Sequence, residues 1–121
     1  MDTSAHQTKL EALYTMIVRE LSDIAVHNPV TDDWEVKTSE ASEADESLQA
    51  DAAEEADERV AELTELETRY RTITRALAKI KNGTYGICEI SGETIEADRL
   101  DVNPAARTCK AHMDQESELP L

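Results

Sequence analysis

The residues with the clearest chemical potential are two cysteines and a histidine near the C-terminus. Cys109 and His112 are separated by two residues, which is a spacing found in zinc sites. Cys88 lies upstream, and Ser91 stands where the second cysteine of a C-x2-C pair is expected. Seventeen residues separate position 91 from Cys109, within the usual range for two halves of one site. The pattern predicts a four-position zinc frame with one ligand replaced.

Ser91 weakens this predicted site, because a neutral hydroxyl is a poor zinc ligand. The fourth place would go to water or to a nearby carboxylate such as Glu89 or Glu93. Two other interpretations stay open, since the cysteines could be reduced core residues or could form a disulfide. The predicted zinc ligands are Cys88, Cys109 and His112.

A first helix is predicted upstream of this frame. Apolar residues recur there at steps of three and four, and Asn28-Pro29 is expected to end the helix because a residue before proline avoids the α region. We place this helix at residues 5–27. The repeating apolar positions are Leu10, Leu13, Ile17, Leu21 and Ile24.

A second and longer helix is predicted over residues 48–82, which contain neither glycine nor proline. From Leu63 onward its apolar spacing is that of a coiled-coil seam, and Gly83 supplies a C-terminal stop. Each helix has one apolar face, and the two faces predict an antiparallel hairpin within a monomer. Pairing of these faces between two chains is the alternative. The apolar positions are Val60, Leu63, Leu66, Tyr70, Ile73, Leu77 and Ile80.

The predicted fold class is therefore mainly α, with a long antiparallel helical hairpin followed by a small zinc-ribbon-like knuckle segment and a short C-terminal helix. Residues 1–82 form the hairpin, and residues 28–47 are its acidic connecting segment. Residues 83–113 contain all three glycines and hold two short strands or knuckles, then a helix from about Pro104 to Met113. Residues 114–121 are expected to be a flexible tail.

Charge and composition exclude several classes of function. The formal net charge is −15, and residues 1–68 carry 19 acidic but only 4 basic residues. Direct nucleic-acid binding is disfavoured, because it depends on neutralising phosphates. No apolar stretch is long enough for a membrane span, and no secretory signal is visible, so the expected compartment is the cytoplasm. The sequence shows no catalytic arrangement, and an enzyme is not expected.

Residues 80–112 resemble the zinc-finger segment of the DksA/TraR family of bacterial transcription regulators. The resemblance lies in the order and spacing of Gly83-Thr84-Tyr85-Gly86, Cys88 to Gly92, Ile95, Arg99-Leu100, Pro104-Ala105, and Cys109 with position 112. It implies a helical hairpin that projects from the zinc segment. It also implies that the hairpin enters the secondary channel of RNA polymerase, with acidic residues at its tip.

Two departures from the family pattern are visible. The usual four cysteines appear here as Cys88, Ser91, Cys109 and His112, and the family's Asp-x-x-Asp-x-Ala tip motif is matched only in its later part. The tip candidates are Asp45, Glu46 and Asp51. The resemblance thus predicts a regulator that binds RNA polymerase without binding DNA. The alternative is a structural or adaptor coiled-coil protein with a vestigial zinc knuckle.

Overall fold

The computed structural model describes the backbone of residues 3–36 and 46–120, and the side chains of residues 3–36 and 57–120. The elements confirm the predicted fold class. In chain order they are helix α1 (Ser4–Ile24), strands β1 (Ala25–Asn28) and β2 (Asp33–Val36), helix α2 (Glu46–Asn82), helix α3 (Ala97–Val102) and a 3-10 helix (Lys110–Glu118). Over the described part of the chain, no helix combines the length and apolar character needed to cross a bilayer.

Helices α1 and α2 pack antiparallel. His6, at the start of α1, contacts Tyr85 just after α2, whereas Tyr14 contacts Tyr70 in the middle of α2. Burying one large apolar side chain contributes about 1.5–3 kcal/mol, so the seam between the helices is a main source of stability. The buried seam positions are Leu10, Ile17 and Leu21 of α1, and Leu63, Leu66, Tyr70, Ile73 and Ala76 of α2.

The seam begins later on α2 than the sequence predicts. Val60 is 52% exposed, and Leu63 is the first buried side chain among those described on this helix. N-terminal of Leu63, α2 continues over residues 46–62, which is about 25 Å of helix at 1.5 Å per residue. Its described side chains there, residues 57–62, are exposed.

The predicted end of the first helix at residue 27 is wrong. The helix ends at Ile24, and β1 pairs antiparallel with β2, so that His27 lies opposite Trp34. The cause is the burial of Trp34, which packs edge-on against Tyr70 of α2 with ring centroids 5.8 Å apart. The segment predicted as a connection therefore begins with a folded hairpin, and its residues 37–45 lie outside the described part of the chain.

Gly83 ends α2 as predicted. Its φ of 78° is in the left-handed region, where a side chain would be strained. The backbone N–H of Gly83 donates to the carbonyl of Ile80, and that of Thr84 donates to the carbonyl of Lys79. This pair of bonds is a Schellman motif, which satisfies carbonyls at the helix end and turns the chain toward the cysteines.

The predicted helix over Pro104–Met113 is wrong. The carbonyl of Arg107 accepts from the backbone N–H of Glu89, and the carbonyl of Thr108 accepts from Arg99 Nε. These carbonyls are therefore not free for helical bonding. Helical structure lies instead in α3 and in the 3-10 helix.

The segment predicted as a flexible tail is partly structured. The 3-10 helix runs to Glu118, and Glu116 Oε2 accepts from Arg99 Nη2 at 2.6 Å. The side chain of Glu116 thus holds the C-terminal helix against the knuckle segment. The domain boundaries given above stay predictions.

Candidate metal centre

The structure brings together the three side chains that the sequence predicts as zinc ligands. The Sγ atoms of Cys88 and Cys109 and the Nδ1 atom of His112 all lie within 4.8 Å of one another. His112 Nδ1 is 3.2 Å from Cys109 Sγ and 4.0 Å from Cys88 Sγ. Both cysteines are buried, free thiols, and His112 is half-buried. Three donor atoms thus converge on one point of the knuckle segment.

Local backbone geometry produces this convergence. Cys88 starts a tight loop in which its carbonyl accepts from the backbone N–H of Gly92, and its own N–H donates to the carbonyl of Glu93. Cys109 is the N-cap residue of the 3-10 helix, and the backbone N–H of His112 donates to the carbonyl of Cys109 at 3.0 Å. Three residues complete one turn of such a helix, so His112 lies directly above Cys109.

The surroundings of Cys88 favour a thiolate. Burial raises the pKa of the Cys88 thiol, but bonds from the hydroxyl and the backbone N–H of Ser91, together with further backbone amides, lower that pKa to about 6. The N–H of Ser91 lies 3.4 Å from Cys88 Sγ. The thiolate is the form of cysteine that binds metals. Two thiolates with one imidazole form a donor set that suits zinc.

Ser91 lies beside this donor set without matching its chemistry. Its Oγ is 3.9 Å from Cys109 Sγ and accepts from the backbone N–H of Glu93 at 3.3 Å. A neutral hydroxyl does not replace a thiolate as a zinc ligand. The described residues therefore fit zinc through three protein donors, and no carboxylate from the described part of the chain joins the cluster.

Glu89, expected from the sequence as a possible fourth ligand, is bonded elsewhere. Its carboxylate accepts two bonds from Arg75, at 2.6 and 3.1 Å, and two from Arg107, at 2.7 and 3.0 Å. Lys79 Nζ is 2.7 Å from Glu89 Oε2. Burial raises the pKa of Glu89, but the bonds from Arg107, Arg75 and Lys79 outweigh it and hold that pKa well below its usual range.

The Glu89 cluster connects the metal centre to the helical hairpin. Arg75 and Lys79 belong to α2, whereas Arg107 precedes Cys109 by two residues. The Arg107 side chain is only 4% exposed. Its Nη2 also donates to the carbonyl of Pro120 at 2.7 Å. The two cysteine-bearing segments and the end of α2 are thus held by one carboxylate.

Residues 83–111 match the prokaryotic DksA/TraR C4-type zinc finger. These residues include both cysteines and end immediately before His112. The match concerns this segment, which is similar to the zinc finger of the DksA/TraR family. The matched segment contains two cysteines, Cys88 and Cys109, where a C4-type finger has four, and Ser91 and His112 stand at the spacing of the other two.

Proteins of similar sequence match only part of this chain. General stress protein 16O of Bacillus subtilis is 48% identical over 48 residues, which are 39% of this chain and 29% of that protein. The uncharacterized protein YteA of the same organism is 46% identical over 46 residues, which are 38% of this chain and 19% of YteA. The matched regions thus span less than a third of the length of either relative.

The whole fold resembles that of a solved DksA protein. The transcription factor DksA2 from Pseudomonas aeruginosa superposes with a TM-score of 0.53 over 93% of this chain and 74% of that protein. The sequence identity is 22%, so the likeness concerns the fold. The likeness in fold covers the helices as well as the zinc-finger segment.

The predicted tip residues are less fully described than the metal centre. Asp45 lies outside the described residues. Glu46 and Asp51 lie on α2, but their side chains are also outside the described part. Their contacts therefore stay untested, and only the position of Glu46 and Asp51 on the N-terminal part of α2 is established.

A second polar cluster, which the sequence analysis did not identify, fastens the β-hairpin to α2. Asp32 Oδ1 lies 2.7 Å from His27 Nε2 and accepts from the hydroxyl of Tyr70, also at 2.7 Å. These bonds, His27 first, lower the pKa of Asp32, and burial together with Asp32 raises the pKa of Tyr70. The cluster has a structural role, because it holds the turn against the helix.

Proposed function

We propose that this chain is a transcription regulator that binds bacterial RNA polymerase in the cytoplasm and does not contact DNA directly. One observation carries the proposal. Helix α2 runs unbroken from Glu46 to Asn82 and leads directly into the segment that matches the DksA/TraR zinc finger. The family resemblance implies that such a helix belongs to a hairpin that enters the polymerase. The net charge of −15 supports a protein partner rather than nucleic acid.

The proposed contact with the polymerase is the distal end of the hairpin. Glu46 and Asp51 lie about 47–54 Å from Asn82 along α2, at 1.5 Å per residue, and Asp45 precedes the helix. A helix of this length separates the acidic residues from the zinc-finger segment. We propose that Asp45, Glu46 and Asp51 enter the secondary channel while the zinc-finger segment stays outside.

We further propose that Cys88, Cys109 and His112 bind zinc. When bound, zinc would supply a cross-link between the loop that begins at Cys88 and the 3-10 helix that follows Cys109. The support is the donor set, two thiols and an imidazole within 4.8 Å. The proposed role of this site is structural, because it would fix the segment at the base of α2.

The test is binding to core RNA polymerase, followed by transcription in vitro. The variant carrying Glu46→Gln and Asp51→Asn should bind the polymerase but change transcript yield relative to the parent. The matched control carries Glu58→Gln and Glu62→Gln, since both are exposed carboxylates on the same helix, about 10–16 Å beyond Asp51.

Three results would separate the possibilities. If the parent fails to bind core polymerase, the proposed function is wrong, and the adaptor alternative is favoured. If the double variant binds the polymerase and leaves the transcript yield unchanged, only the assignment of Glu46 and Asp51 to the tip is wrong. An equal effect of the Glu58→Gln and Glu62→Gln control would show that total charge, not the position of the carboxylates at the tip, governs the response.

A further inference from the structure

Helix α2 joins the knuckle segment at a turn, and one carboxylate links the two sides of that turn. The chain leaves α2 at Gly83, whose left-handed backbone directs it toward Cys88. In the part of the chain that the structure describes, the ion pairs between α2 and the knuckle segment both end on Glu89. The turn is therefore a hinge, and Glu89 is the charged group that bridges it.

The contacts of Glu89 restrain orientation as well as distance. Arg75 donates to both carboxylate oxygens, at 2.6 and 3.1 Å, and Arg107 donates to the same two oxygens at 2.7 and 3.0 Å. Lys79 Nζ adds a bond of 2.7 Å. A guanidinium bonded to both oxygens of a carboxylate is fixed in geometry, unlike a single point contact. Two such pairs on one carboxylate thus fix the angle at which α2 meets the knuckle segment.

Polar contacts from α1 to the knuckle segment restrain this angle less. Lys9 Nζ lies 3.5 Å from the carbonyl of Asp101, and His6 Nε2 lies 3.4 Å from the carboxylate of Asp101. The Asp101 side chain is 66% exposed, whereas that of Glu89 is 16% exposed. Exposed ion pairs contribute little, because water screens the charges and the side chains lose entropy. Glu89 is therefore the main polar restraint between the knuckle segment and the helices.

A small change of this angle is magnified along α2. The helix is continuous from Glu46 to Asn82, and Glu46 lies about 44 Å from Arg75 at 1.5 Å per residue. Over that length, a tilt of about 10° displaces Glu46 by about 8 Å. The displacement is more than twice the length of a hydrogen bond, which is about 3 Å. The position of the distal end of α2 within a partner thus depends on the contacts of Glu89.

We propose that Glu89 is a positioning residue, which orients α2 so that its distal end reaches the interior of RNA polymerase. The inference rests on the proposed function and adds a role for the knuckle segment, namely to direct the hairpin. The contacts that carry it are made between protein side chains.

The test disconnects α2 from Glu89 and leaves the knuckle segment intact. A variant with Arg75→Gln and Lys79→Gln removes both ion pairs from α2, while the nearly buried Arg107 keeps Glu89 as its partner. No buried charge is left uncompensated, so the variant should fold, which circular dichroism checks. Arg75→Gln alone is the milder version, because the Arg75 side chain is 41% exposed.

The orientation of α2 is measured as the distance between two spin labels, one at Glu62 on α2 and one at Gln115 on the 3-10 helix. Both positions are exposed, and each label is attached to a noncanonical amino acid so that the cysteines are not modified. The matched control carries Arg69→Gln and Lys81→Gln, which remove the same charge from exposed positions of α2. The parent and the control should give one narrow distance distribution. The variant at positions 75 and 79 should give a broader or shifted distribution.

The functional measurements are affinity for core RNA polymerase and transcript yield in vitro. The variant at positions 75 and 79 should keep the affinity of the parent and lose its effect on transcript yield. A variant that is merely less stable would instead lose both in proportion to its folded fraction. Arg75→Gln alone should change the distances and the transcript yield in the same direction but by less.

Four results would overturn the inference. The first is a distance distribution at positions 62 and 115 that both substitutions leave unchanged. The second is a broadened distribution with the parent's effect on transcription, since the orientation of α2 would then not matter. The third is a loss of polymerase affinity in the variant but not in the control, which would show that Arg75 or Lys79 contacts the polymerase directly. The fourth is a parent that does not bind polymerase, which removes the proposed function itself, whatever the distances show.

Discussion

Glu89 and Arg107 form a bidentate ion pair, with distances of 2.7 and 3.0 Å, that joins the two cysteine-bearing segments of the knuckle. The same two residues are linked through their backbones, since the N–H of Glu89 donates to the carbonyl of Arg107 at 2.9 Å. Each residue lies one or two positions from a cysteine. The pair therefore holds together the two segments that carry Cys88 and Cys109.

We predict that Glu89→Gln destabilises the fold by about 3 kcal/mol, because it leaves the buried guanidinium of Arg107 without a compensating charge. Urea denaturation followed by circular dichroism measures the change. Glu65→Gln is the control, since it also removes an arginine partner but from an exposed i,i+4 pair with Arg69. Its cost should be below about 0.5 kcal/mol. Equal costs for the two variants would show that the Glu89 cluster behaves as a surface ion pair.

The hairpin seam gives a second prediction. Leu66→Ala should destabilise the protein by about 2–5 kcal/mol, because Leu66 is buried between the helices. Val60 belongs to the same apolar repeat but is half exposed, so Val60→Ala should cost less than about 1 kcal/mol. Thermal or urea unfolding of both variants checks the difference. A similar cost at both positions would mean that the seam extends beyond Leu63.

Much of this architecture is predictable because its determinants are local in sequence. The apolar repeat at Leu66 and Ile73 indicates a helix face directly, and Gly83 marks the end of that helix. The spacing of Cys109 and His112 likewise predicts that their donor atoms meet, because one helical turn spans three residues.

Other features depend on contacts between distant residues and leave no pattern in the sequence. Four-residue strands are too short to show an alternation, and the strand at Trp34 forms because the indole packs against Tyr70 of α2. In the sequence, Glu89 is one of 27 acidic residues with nothing to distinguish it. In the structure, three basic side chains from two segments surround its carboxylate. The C-terminal helix is predicted at the wrong residues for the same reason, since Arg99 and Glu89 bond to the carbonyls of Thr108 and Arg107.

The oligomeric state gives a third prediction. Because the apolar seam is buried within one chain, sedimentation equilibrium should give a mass near the 13.5 kDa of the monomer. The high negative charge also opposes self-association at low ionic strength. A mass of twice that value across the accessible concentrations would instead support pairing of the seam between chains.

The Asp32 cluster predicts a pH dependence of stability. Bonds from His27 and Tyr70 place the pKa of Asp32 in the folded protein below its model-compound value of 3.8. The ionised carboxylate therefore contributes stability that is present above about pH 4 and is lost as the pH falls through the folded pKa. We expect Asp32→Asn to lower the melting temperature at pH 6, and the difference from the parent to shrink below pH 4.

The control for Asp32 is Asp23→Asn, which makes the same change of charge at an exposed position near the end of α1. Its effect on the melting temperature should be small at every pH. A constant difference between the parent and Asp32→Asn down to the lowest pH would contradict the assignment. The hairpin would then be held by packing of Trp34 rather than by the carboxylate.

Ser91→Cys gives the last prediction, on zinc affinity. The substitution supplies the fourth protein ligand of a closed site, so zinc should bind at least about tenfold more tightly, a gain of about 1.4 kcal/mol. Competition with a chromogenic chelator at fixed pH measures the affinity, and the zinc-dependent rise in melting temperature should grow in parallel. Ser22→Cys is the control, because it adds a thiol at an exposed position on α1, and it should leave the affinity unchanged. Equal tightening by both variants would mean that any added thiol binds the metal, and an unchanged affinity in Ser91→Cys would place the fourth ligand elsewhere than position 91.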